Sequence, residues 1–72
     1  MMRDALIIRL LEIRAFSAPG ARQTASTMLL HAVRISPDES ALRAEVEEHV
    51  LTHHDGEIVR EVRSLIRELR LF

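Results

Sequence analysis

Glu45, His49 and His53 follow one another at intervals of four residues, with His54 and Asp55 next in line. On a helix that spacing sets the first three along one face. Two histidines at i and i+4 can hold one metal ion, as in the zinc-protease motif, where a glutamate between them serves as general base. Here the residues between His49 and His53 are Val50, Leu51 and Thr52, so the base is missing and protease chemistry is excluded. Glu45, His49 and His53 remain weak candidates for a structural metal; no metal and no cofactor is expected. The plainer expectation is that His49 and His53 are half-buried edge residues whose ring nitrogens find hydrogen bonds.

The second constellation is cationic. All ten basic residues are Arg, and none is Lys. Arg60, Arg63, Arg67 and Arg70 fall within one narrow stripe at ~100° per helical residue. Glu57, Glu61 and Glu68 fall on another stripe, across an apolar seam. Only Glu57 with Arg60 makes a clear favourable pair within the segment. The stripe must therefore face solvent or something else. Three partners suggest themselves: the acids Asp38, Glu39, Glu45, Glu47 and Glu48 of the preceding segment, an acidic patch on another subunit or protein, or nucleic-acid phosphate. The formal net charge of −1, the absence of Lys, and aromatics limited to Phe16 and Phe72 all count against nucleic acid.

Catalysis finds little support. There is no Cys, and Ser17, Ser26, Ser36, Ser40 and Ser64 lack the context of a nucleophile elbow. Two glycines cannot build a phosphate-cradling loop. A chain of 72 residues cannot enclose an ordinary substrate pocket by itself. No enzyme and no small-molecule substrate is expected.

These residues must be positioned by helices. Met2, Leu6, Leu10 and Ile13 are spaced as one helical face, and Ile7, Ile8 and Leu11 form a second apolar stripe. A helix apolar on two sides is either central in its fold or shared with another chain. Ser17-Ala18-Pro19-Gly20 ends it. A second helix over 21–34 places Ala21, Ala25, Met28, Leu29, Ala32 and Ile35 on one face, small enough for close helix approach. Ser36-Pro37-Asp38-Glu39 reads as a capping box, with Ser36 as N-cap and Glu39 completing it. The third helix carries Leu42, Val46, His49, Val50 and His53 on one face. Asp55-Gly56 then either caps a fourth helix over 57–71 or turns a hairpin between 50–53 and 57–60. The period of Ile58, Val62, Leu65, Leu69 and Phe72 favours the helix.

The predicted fold is therefore one all-α domain over 1–72, a bundle of three or four helices broken at 17–20, 35–36 and 52–56. The alternative is a winged-helix-like layout, three helices and a short β-hairpin at 50–60. No stretch approaches the ~20 apolar residues that span a membrane, and the chain is read as cytoplasmic with no membrane association. A small cysteine-free core invites a partner subunit as its staple. The expected function is a protein–protein interaction or self-association module. Leu6, Leu10, Ile13, Leu65, Leu69 and Phe72 would supply the interface and Arg60, Arg63, Arg67 and Arg70 the charged contacts. The alternative is a small DNA-binding regulator of helix-turn-helix or winged-helix type.

Overall fold

The computed structural model describes residues 3–72, which form four α-helices and, among those residues, no strand. These are α1 (Arg3–Phe16), α2 (Ala21–Ile35), α3 (Glu39–Glu45) and α4 (Gly56–Leu69). A π-helical turn over Val46–Val50 continues α3 without a break. The bundle expectation holds, and the β-hairpin at 50–60 does not form. Asp55 is instead the N-cap of α4, its carboxylate accepting the Glu57 amide at 2.9 Å. Met2 lies outside the described residues.

The core is built from Leu, Ile, Val and Ala on every helix: Leu6, Leu10, Ile13, Ala25, Leu29, Leu30, Val33, Leu42, Val46, Val62 and Leu65 are among its buried members. The central element is α2, not α1. It packs on α1, on α3 and its π turn, and on α4. Ala25, Ser26 and Ala32 give it the slim surface that lets neighbours approach from several sides. Ser26 is fully buried and donates its hydroxyl to the Gln23 carbonyl, so no polar atom is stranded there. By contrast α1 lies at the edge and packs chiefly on α2. It is tied at both ends: the Arg3 guanidinium donates to the Arg34 carbonyl at 2.6 Å, and Gln23 donates to the Arg14 carbonyl at 3.3 Å. Gly20, the α2 N-cap, has φ 156 and ψ −162, a region essentially confined to glycine.

Two helix ends differ from the sequence reading. The α3 N-cap is Asp38, whose carboxylate accepts the Ala41 amide at 2.8 Å. Ser36 is buried and turns its hydroxyl back onto the Ala32 carbonyl at 2.6 Å. The sequence offers two cap side chains two residues apart, and burial removes the first. At the other end α4 stops at Leu69, and Arg70 takes the left-handed conformation at φ 52. The Arg70 amide reaches the Arg67 carbonyl and the Leu71 amide the Ile66 carbonyl, the hydrogen-bond pair of a Schellman motif. That reversal sends Leu71 into the core and leaves Phe72 37% exposed, so Leu71, not Phe72, ends the apolar seam.

Candidate interaction surface

The surface is built on α4 and roofed at one side by the π turn. Val62 and Leu65 bury the inner face of α4, and Ile58, Ile66 and Leu69 pack half-buried beside them. With that face fixed, Arg60, Arg63 and Arg67 point into solvent, and Arg70 is exposed just past the last turn. None of the four takes part in an ion pair within 4 Å among the described residues. The acids of the α3 segment therefore do not neutralise the stripe.

Next to the stripe lies an open groove of about 290 Å³. Leu51, Ile66 and Phe72 supply its apolar surface, Arg63 and Arg67 line it from α4, and Glu47 lines it from the π turn. The Arg43 guanidinium stands 5.0 Å from the centroid of the Phe72 ring, within cation–π range. Three guanidinium groups thus surround an exposed apolar floor. An Arg fork can take a carboxylate or a phosphate with two parallel hydrogen bonds. Sequence spacing gives the arginines and Phe72. Glu47 is among the acids that the sequence offers as facing the stripe, but spacing misses Leu51, which the 52–55 connection separates from α4, and Ile66, which lies outside the 4, 3, 4, 3 seam.

The carboxylates of α4 are used differently. Glu61 and Glu68 both face Arg22 of α2, at 3.7 and 2.9 Å. Arg22 donates to both oxygens of Glu68, at 2.9 and 3.2 Å. That hydrogen bonding holds the Glu68 carboxyl below its ordinary range, against a smaller opposing effect of desolvation, and it raises Arg22 in turn. These pairs bind α2 to α4 and leave the arginine stripe unpartnered.

The residues expected at an interface divide into two groups. Leu6, Leu10, Ile13 and Leu65 are spent in the chain's own core, with Leu69 half-buried against it. Phe72 is the member that stays on the surface. Among the described residues the large apolar side chains left exposed elsewhere are Ile8, Phe16 and Ile35.

The histidine constellation does not assemble. In the π turn the Leu51 amide reaches back five residues to the Val46 carbonyl at 2.8 Å. The wider turn breaks the i, i+4, i+8 alignment that an α-helix would give. His49 is exposed, and His53 lies beyond the helix, where its Nδ1 accepts the Asp55 amide at 3.0 Å and its ring stacks on His54 at 4.4 Å. Among the described residues no three His or acidic side chains are placed to hold a metal. Glu45 and His49 instead line a second, shallow groove of about 420 Å³ with His31 of α2. Among the described residues no helix is long and apolar enough to cross a membrane. Comparison with protein-family models, with curated proteins and with solved structures finds no match.

Proposed function

We propose that the chain is a non-catalytic protein-interaction module whose working face is the α4 arginine stripe with its adjoining groove. The observation that supports this reading is the set of unpaired guanidinium groups at Arg60, Arg63, Arg67 and Arg70, of which Arg63 and Arg67 line the groove over Leu51, Ile66 and Phe72. Its natural occupant is an acidic amphipathic segment. Apolar side chains of that segment would cover Phe72 and Ile66 while its carboxylates meet the arginines, the helix-in-groove mode of peptide recognition. Nucleic acid needs the same cations but has less use for an apolar floor, and the chain's overall charge of −1 supplies no long-range attraction. A cytoplasmic setting is part of this proposal.

The test pairs two labelled probes in fluorescence anisotropy: an acidic amphipathic peptide of Glu and Leu at helical spacing, and a random DNA duplex. The peptide should bind saturably, and the Arg63→Glu/Arg67→Glu double variant should weaken it at least roughly tenfold, ~1.4 kcal/mol. Duplex binding that falls steeply with salt, without peptide binding, would replace this reading by the phosphate one. Silence from both probes would remove the α4 face as a binding site.

A further inference from the structure

The edge helix α1 carries two stripes. Leu6, Leu10 and Ile13 are buried on the side facing α2. Along the outward flank of the helix, at steps of three and four, run Asp4, Ile7 and Ile8, Leu11, then Arg14 and Ala15, of which Ile7 and Leu11 also pack partly against the chain's own core. Ile8 is 57% exposed, Asp4 and Ala15 are exposed, and Ile7, Leu11 and Arg14 are half-buried.

We propose that this outer stripe is the contact of a two-fold dimer, in which α1 packs antiparallel against α1 of a second copy. The order of charges along the stripe identifies the occupant. An acid stands at its start and a cation near its end, with Ile7, Ile8 and Leu11 between. A stripe of that kind is complementary to its own reversal, which is what a two-fold contact requires. Reversed about the midpoint between Arg9 and Leu10, Ile8 meets Leu11 of the second copy. Asp4 then lies by Ala15 and Arg14 of the second copy, so two ion pairs bracket the apolar centre. A parallel arrangement would set Asp4 against Asp4 and Arg14 against Arg14. Neither Asp4 nor Arg14 has an ion-pair partner within 4 Å among the described residues. Arg9 and Glu12 pair with each other at 3.9 Å, and Glu12 borders Ile8 on the exposed side of the helix. At 14 residues α1 is about 21 Å long, so the contact is small and the dimer is a reversible one. The α4 groove is not involved, and the dimer stands or falls independently of the function proposed above.

Sedimentation equilibrium of the full chain from low to high micromolar concentration tests it. The average mass should climb from 8.2 kDa towards twice that value. Ile8→Glu should keep the helical circular dichroism and remain a monomer throughout, because Ile8 is exposed in the single chain. Asp4→Arg and Arg14→Asp should each weaken the dimer roughly tenfold, and the double variant Asp4→Arg/Arg14→Asp should recover it. Both substitutions oppose the α1 dipole, so recovery cannot come from a better helix. Mixing Asp4→Cys chains with Ala15→Cys chains under mild oxidation should give the mixed disulfide in preference to either homodimer. A constant 8.2 kDa species would overturn the proposal, as would a dimer indifferent to Ile8→Glu, a double variant no better than the singles, or cross-linking between like positions.

Discussion

At the scale of single residues, Arg70 decides what the end of the chain does. Its left-handed backbone closes α4 and turns Leu71 inward and Phe72 outward under Arg43. A side chain with a Cβ in that conformation costs ~1 kcal/mol relative to glycine. Arg70→Gly should therefore raise stability by about that amount, which for a domain of this size is ~4–8 °C in thermal midpoint. A scan of the purified variant checks it; an unchanged or lower midpoint would mean that the Arg70 side chain contributes to the folded state. Stability alone would favour glycine here, and the position instead extends the cationic stripe of the proposed binding face. The Phe72 and Leu71 exchange could not be read from a 4, 3, 4, 3 period. The period assumes one continuous helix, and a single positive φ near its end rotates everything after it.

At the scale of elements, α2 and α4 are joined by a polar clasp outside the apolar core. Arg22 keeps Glu68 ionised to lower pH than an ordinary glutamate. A carboxyl whose folded value is depressed stabilises the fold above its unfolded range, and that contribution is lost as pH falls through the folded value. The two side chains are 37% and 46% exposed, so solvent screens the pair and its worth is ~0.5–1 kcal/mol. Glu68→Gln should lower stability by about that much at pH 7 and leave little difference once the wild-type carboxyl is protonated. Urea titrations at pH 7 and in the acid range would show the two curves converging; a constant gap would place the effect in packing instead. How much of these elements the sequence discloses depends on the signal each one leaves. Asp55-Gly56 marks the start of α4 because an acceptor side chain and a breaker coincide there. Ser36-Pro37-Asp38 is ambiguous because two acceptors compete, and only the burial of Ser36 decides between them. The central role of α2 is muted because Ala25, Ser26 and Ala32 are weakly hydrophobic, and slimness rather than apolarity qualifies them. The π turn leaves no trace, since α- and π-helical backbones draw on the same residues, and with it the Glu45, His49 and His53 alignment is lost. Arg60, Arg63 and Arg67 are legible as a stripe because they lie within one helix; the groove is not, because Glu47 and Leu51 come to it through tertiary packing.

At the scale of the whole molecule, the chain is as compact as a closed globule. Its Cα radius of gyration is 11.0 Å, the size of a closed globule of this length, about 11 Å. Charge is distributed to match. The carboxylates Glu61 and Glu68 serve the fold through Arg22, while the four guanidinium groups along α4 are left to the surface.

The edge position of α1 has a consequence for how the native state breathes. Its apolar contacts are chiefly with one neighbour, whereas α2 is held by all the others. Local opening free energies follow the packing that each unit must give up. In native-state hydrogen exchange the α2 amides around Leu29 and Leu30 should exchange only through global unfolding, with the full denaturant dependence. The α1 amides around Leu6 and Leu10 should exchange sooner, through a partial opening in which α1 peels away and α2 to α4 remain folded. Equal protection of the two helices would show that α1 and α2 open as one unit.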